Sequence, residues 1–338
     1  MPITTARRSA GAAQARRAVP RRMRPVAAAA AVALAMGIAA CSSSGSSTSA
    51  TTGSSATSAT STTSGSGTAA VVATYPGVTE DTALHNSTPA KYRTNGVQVA
   101  VFNDWPPDEF LQNGQLTGWS VDLAHAMAAV LNLKFTYNPT SFDAILPGIQ
   151  NGRFDAGFAS FGVTPQRLQV LSFIPEDSEG EGYAALKSSN INITALNQLC
   201  GRSVAVLTGA FDYEYLLGES KTVCTSAGKP GITLRQYTTQ TAADLAVISG
   251  RVQLTAAGSV DLGYLVKQQP KMALSTLVVN SVYNCIGVRK GDPLGTVLAD
   301  SLQQLINDGV YQQIMTKWGV AGLVTKGLLA TQANPDPQ

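Results

Sequence analysis

Thr164, Pro165 and Arg167 fall within one four-residue string, and no other short string in the chain points so directly to chemistry. Threonine followed by proline is the pattern of an N-cap and a first helical position, which would place Arg167 in the first turn of a helix. Unpaired backbone N–H groups, the positive end of a helix and a planar guanidinium together suit a carboxylate. A surface arginine on a capped helix is the other reading of these residues. Catalytic chemistry has less to stand on. The chain has two histidines, His85 and His125, so a nucleophile–His–Asp triad and a histidine metal cluster both lack parts. Walker and Rossmann glycine fingerprints are absent from the sequence. The scattered Asp and Glu read as solvated faces with no acid to assign as a catalyst, so binding without turnover, cofactor or metal is expected.

The elements that must position such a site follow from periodicity. Between about residues 96 and 324 short β-branched runs alternate with helical patterns, the mark of an α/β fold. Residues 97–102, 134–138 and 154–159 read as strands. A helix opens after Gly118 with Ser120 as its expected N-cap, and Val121, Ala124, Ala128 and Leu131 share one of its faces. Residues 142–150 form the next helical pattern, stopped by Asn151 and Gly152. The order helix, Gly-Arg turn, strand recurs over 242–256, so two lobes built alike are the economical reading. Residues 292–308 carry an amphipathic pattern and 311–317 a short closing helix.

Composition and charge bound the remaining choices. At 338 residues with 44% hydrophobic and 13% charged content, the chain fits a globular protein with uncharged extensions. Seven of its 24 basic residues lie in the first 24 positions, and beyond residue 40 there are 17 basic against 21 acidic residues, a balance of −4. That sign gives no footprint for nucleic acid or an anionic membrane surface. The Arg-rich start and the uncharged run 26–40 read as an export signal, too short to span a bilayer. Ile38-Ala39-Ala40-Cys41 resembles a bacterial lipobox, which would make Cys41 the acylated first residue of the mature chain. An ordinary secretory signal that happens to contain a cysteine is the alternative. Residues 42–68 are Ser, Thr and Gly apart from Ala50, Ala56 and Ala59, a composition unable to offset its ordering entropy. It reads as a tether of roughly 40 Å mean reach.

A set of motifs in fixed order goes further. Asp104-Trp105-Pro106-Pro107 with Glu109-Phe110 is followed by Gly118-Trp119-Ser120-Val121-Asp122-Leu123 and by Ser141-Phe142-Asp143-Ala144-Ile145-Leu146-Pro147. Gly152-Arg153-Phe154-Asp155-Ala156, Thr164-Pro165-Gln166-Arg167, Gly201-Arg202-Ser203-Val204-Ala205-Val206, Asp308-Gly309-Val310-Tyr311 and Lys317-Trp318-Gly319 complete it. Over the whole folded region the chain resembles the family 3 extracellular solute-binding proteins, the polar amino-acid receptors of bacterial ABC importers.

The resemblance implies a two-lobed periplasmic-binding-protein fold of type II, each lobe a mixed sheet flanked by helices, closing on a ligand between them. The implied division is a signal peptide at 1–40, lipidated Cys41 and tether at 41–94, a first lobe at 95–184 and 281–325, a second lobe at 185–280, and a tail at 326–338. Hinge segments are expected near 183–186 and 278–283. Arg167 matches the residue that holds the ligand's α-carboxylate, Trp105 and Phe142 the aromatic walls, and Ser160 and Gly162 the strand end, where Gly162 lacks the usual hydroxyl. In the second lobe Thr208 precedes Ala210, which replaces a usual Thr, and Gly258 stands where an Asp holds the α-ammonium. Either a displaced acid such as Asp261 or Asp104 substitutes, or the ligand has no standard α-amino group. Cys200 and Cys224 match a cysteine pair of related receptors, leaving Cys285 as a buried free thiol. The implied partners are a small carboxylate-bearing solute and an ABC permease with its ATPase, served by a lipid-anchored, extracytoplasmic monomer. A sensor or partner-docking lipoprotein and a cyclohexadienyl-dehydratase-like enzyme are the alternatives on the same scaffold.

Overall fold

The computed structural model describes residues 74–320, 326–331 and 334–335; the expected signal peptide, Cys41 and the Ser/Thr/Gly-rich stretch lie outside the described residues. The expected tether is too long at its C-terminal end, because helices α1 (Thr82–Ser87) and α2 (Ala90–Asn95) form there. Asp81 caps α1 by accepting from the N–H groups of Ala83 and Leu84, both at 2.9 Å. Tyr92 is buried and donates to Asp292 at 2.8 Å, while His85 Nδ1 lies 2.8 Å from the Leu131 carbonyl oxygen. These contacts fasten the segment to the first lobe.

The strands in chain order are β1 (Val97–Phe102), β2 (Asp104–Trp105), β3 (Glu109–Gln112), β4 (Gln115–Thr117), β5 (Phe135–Thr140), β6 (Ala156–Gly162) and β7 (Leu171–Leu186). They continue with β8 (Ser203–Leu207), β9 (Thr233–Tyr237), β10 (Leu254–Gly258), β11 (Met272–Leu274) and β12 (Val279–Arg289). Helices α3 (Trp119–Leu131), α4 (Phe142–Gln150), α5 (Phe211–Glu219), α6 (Gln240–Ile248), α7 (Ser259–Gln268), α8 (Leu294–Asn307) and α9 (Val310–Trp318) pack around them. The main sheet runs β5-β1-β6-β12-β7-β10-β8-β9, with β11 beside β7; β2, β3 and β4 form a small separate sheet.

The expected repeat is visible in this order. β5, β1 and β6 are parallel and are closed by antiparallel β12, just as β9, β8 and β10 are parallel and are closed by antiparallel β7. The two closing strands pair with each other from Val279 opposite Glu181 to Arg289 opposite Leu171, so they belong to both lobes. On β7 the pairing with β10 begins only at Glu181. The crossing stretch therefore lies ahead of residue 181, earlier than the expected 183–186. Tyr183 is fully buried in the second-lobe core with Val204, Val206 and Leu254. On β12 the ladder is interrupted between Val279 and Val282 and between Asn284 and Cys285, so the bends fall within the second crossing.

Most elements expected from periodicity lie within two residues of their expected bounds. α3 buries Val121, Ala124, Ala128 and Leu131 as its spacing requires. Ser120 is not its cap. Gly118 is, at φ 135°, and a Cβ there would lie 1.9 Å from the Asp108 carbonyl oxygen.

Candidate ligand-binding cleft

Trp105, Phe142, Ser160 and Gly162 reach one cavity from the first lobe, and Ala210, Phe211, Asp212 and Gly258 reach it from the second. The crossing strands contribute Glu179, Glu181 and Asn284. Arg167 and Thr208, both expected at the site, are not among the lining residues. Thr208 Oγ1 is turned away, donating to the Tyr237 carbonyl at 2.9 Å.

Local structure explains each position. β1 and its neighbours deliver Phe102, whose ring packs near both expected walls, 6.3 Å from Trp105 and edge-on to Phe142 at 5.6 Å. Phe142 opens α4, and Trp105 lies on β2. Gly162 lacks a hydroxyl for a steric reason, since a Cβ there would lie 2.9 Å from the Phe211 Cβ of the opposite lobe. Ser160 adopts φ 44°, and its hydroxyl donates to Asp108 at 2.8 Å, with Glu109 at 3.2 Å. It therefore faces carboxyl groups.

The helix expected after Thr164-Pro165 does not form. Arg167 begins a single 3-10 turn, Arg167–Gln169, and only the threonine's capping role survives: Thr164 Oγ1 accepts from the Arg167 N–H at 3.2 Å. A single turn has too few aligned peptides to supply the expected dipole. The guanidinium is buried and donates to the Gly162 carbonyl at 2.6 Å and to the Gly209 carbonyl at 2.8 Å. It thus joins the first lobe to the loop before α5. Asp104 makes a second crossing contact, its carboxylate accepting from the Thr241 N–H at 2.8 Å and from the Thr241 hydroxyl. The lobes are closed.

The cleft acids overturn the expectation of solvated faces. Asp108, Glu109, Glu176, Asp177, Glu179, Glu181, Asp212 and Asp261 are all buried. Among the described residues no lysine or arginine lines the cavity, whereas Glu179, Glu181 and Asp212 do. Burial, followed by repulsion from neighbouring carboxylates, pushes Asp108, Glu109, Glu181 and Asp261 well above the ordinary carboxylate range. Burial raises Glu176 to about 8 and Glu179 to about 7, the latter against hydrogen bonds from the Val260 N–H at 2.8 Å and the Asn284 amide at 2.7 Å. Desolvation of an unpaired anion is the common cause.

Glu179 occupies the space beside Gly258. A Cβ on Gly258 would lie 2.1 Å from Glu179 Oε1, so the carboxyl of Glu179 fills the space that a side chain at 258 would enter. Of the two acids expected to substitute, Asp104 accepts from Thr241 across the lobes, and Asp261 is not among the lining residues. The i, i+2 spacing of Glu179 and Glu181 puts both on one face of β7, a signal that could be read only once that strand was known.

Away from the cleft, Cys200 and Cys224 form a disulfide and Cys285 is a buried free thiol. His125 packs edge-on to Tyr137 at 4.8 Å, and burial lowers its pKa. It has the packing role of a core residue.

Residues 97–321 match the profile of the bacterial extracellular solute-binding proteins, family 3. The arginine-binding protein ArgT of Corynebacterium glutamicum is 31% identical over 251 residues, covering 72% of this chain and 81% of its own. Among solved structures, an ancestral arginine-binding protein bound to arginine is similar with a TM-score of 0.60 and 28% identity, covering 66% of this chain and 97% of its own. The ancestral amino acid-binding protein AncCDT-1, described as a precursor of cyclohexadienyl dehydratase, gives 0.61 and 26%, covering 68% and 98%. Motif order, the doubled sheet with two crossing strands and these likenesses agree: the chain belongs to the family 3 bacterial extracellular solute-binding proteins.

Proposed function

We propose that this protein is the lipid-anchored receptor of an ABC importer and that its ligand is a cationic amino acid or a close analogue, with arginine foremost. The observation that carries this reading is the cavity wall: Glu179, Glu181 and Asp212 face it, and among the described residues no basic side chain does. A buried anion without a partner costs several kcal/mol, and a ligand cation is the partner that this wall asks for. Glu179 is assigned to the α-ammonium from the position usually served by an Asp at 258. Glu181 and Asp212 are assigned to the side-chain cation, with Trp105, Phe142 and Phe211 as apolar walls that also favour a cation. Arg167 is assigned to the α-carboxylate, which would replace a backbone carbonyl as acceptor. The names of the relatives support the choice of arginine. Cys41 is assigned to the lipid anchor, which mass spectrometry of the membrane-extracted chain tests directly.

Calorimetry on ligand-free protein is the test. L-Arginine is expected to bind more tightly than L-glutamine, and both more tightly than the corresponding acids without an amine. Equal binding of the deaminated acids would refute the ammonium role of Glu179. A second reading, an enzyme of the cyclohexadienyl dehydratase kind, draws on the same buried acids and on the likeness to AncCDT-1. Turnover of prephenate or arogenate would establish it over the receptor reading.

A further inference from the structure

Asp108, Glu179 and Asp261 each direct a carboxylate oxygen to one point, and these oxygens all lie within 4.8 Å of one another. Asp108 comes from the first lobe, Glu179 from a crossing strand and Asp261 from the first turn of α7 in the second. We propose that this trio is a divalent-cation site of calcium size that locks the lobes closed, adjoining the solute cavity and sharing Glu179 with it.

Asp261 supplies the second observation. Only 5% exposed, it has no hydrogen-bond donor on either carboxylate oxygen, and its carboxyl meets that of Glu179. Its electrostatic neighbours are Asp108, Glu179 and Glu109, all acids. Glu109 is fully buried, and its Oε1 also lacks a partner. The other members are held in place by donors from outside the trio. Asp108 accepts from the Trp119 indole and the Ser160 hydroxyl, and Glu179 from Val260 and Asn284. Each of those oxygens keeps a free lone pair. The ligand set is thus rigid, anionic and built only of oxygen, which suits a hard cation.

Two features select the occupant. Calcium bonds of about 2.3 to 2.6 Å set ligand oxygens up to about 5 Å apart across the ion, whereas magnesium at about 2.0 to 2.1 Å draws them closer. A bare ion also needs no path for a stem. Of the trio, only Glu179 lines the solute cavity, so an organic cation lying there reaches the trio through Glu179 alone. The site is complete only when the lobes meet, which makes cation binding a brake on reopening.

The test uses purified full-length chain dialysed against a chelator, with no solute added, so it does not depend on which amino acid binds. Calcium chloride should give one saturable calorimetric transition at roughly 0.1 to 1 mM, the range of extracellular calcium modules, with magnesium weaker. Terbium should luminesce on excitation of Trp119, whose indole is bonded to Asp108. Asp261→Asn should weaken calcium at least tenfold, as should Glu179→Gln, while Asp244→Asn, a half-buried acid outside the trio, should not. Absence of saturable calcium binding, or Asp261→Asn binding as wild type does, would overturn the site.

Discussion

At position 258 a missing side chain and a carboxyl from another strand share one space, and this changes what a substitution there does. Restoring an Asp looks favourable from sequence, because it would return the usual ammonium partner. The structure gives the opposite sign. A Cβ 2.1 Å from Glu179 Oε1 must displace that carboxyl and break its bonds from Val260 and Asn284. Gly258→Ala and Gly258→Asp should each destabilise the closed protein by about 1 to 3 kcal/mol, as overpacking does, and weaken arginine binding. Adding Glu179→Gly to Gly258→Asp should recover part of the affinity. Calorimetry showing undiminished binding by Gly258→Ala would mean that Glu179 is free to move. Asp244 offers a pH readout away from the cleft. Burial raises it to about 7, against bonds donated by Thr255 at 2.8 Å and Gln240 at 3.0 Å. Because the folded state holds this proton more tightly than the unfolded chain, with its ordinary value of about 3.9, the associated stability is full below about pH 4 and is lost as pH rises through about 7. Asp244→Asn keeps an acceptor without the charge, so its Tm advantage over wild type should grow between pH 5 and pH 8. A constant difference would show that the carboxyl ionises without cost.

At the level of elements, what the sequence made legible was set by local periodicity, and what it hid was set by long-range pairing. The α3 face, the limits of β1 and α4 and the doubled helix-turn-strand unit all follow from spacing that a core must satisfy. β7 did not announce itself. Its string Pro175-Glu176-Asp177-Ser178-Glu179-Gly180-Glu181 has the composition of a solvated loop, yet it is part of a central strand that pairs with β12 along this stretch and with β10 from Glu181 onward, and its carboxyl groups are buried. Arg167 was misplaced for the same kind of reason: Thr-Pro predicts a cap but says nothing about how many turns follow. The disulfide between Cys200 and Cys224 closes a separation of 24 residues around β8 and α5, and in the chain-entropy model it contributes about 3 to 3.5 kcal/mol. Replacing both cysteines by serine should therefore lower the Tm measured by calorimetry while leaving arginine affinity within about twofold, since neither sulfur lines the cavity. A large loss of affinity at unchanged Tm would place the disulfide's role in positioning α5.

Across the whole molecule, closure rests on contacts that exist only when the lobes meet. The buried Arg167 guanidinium reaches the Gly209 carbonyl, and Asp104 accepts from Thr241 in the first turn of α6, one of the donors a helix leaves unsatisfied at its start. Both are made by polar groups that water would satisfy in an open cleft, so neither commits the protein to the closed form by itself. The proposed cationic ligand would change that balance by meeting the acids of the cavity wall. Asp104→Ala should consequently enlarge the radius of gyration of the unliganded protein in solution scattering, and saturating arginine should return it to the wild-type closed value. Arg167→Ala should do the same without ligand. If Arg167 also holds the ligand carboxylate, however, its affinity should fall further, by about 2 to 5 kcal/mol, the cost of removing one partner of a buried charged hydrogen bond. The two variants thus separate latching from recognition. Equal and small affinity losses in both would confine Arg167 to the latch, and an unchanged radius in both would mean that the crossing strands alone hold the lobes together.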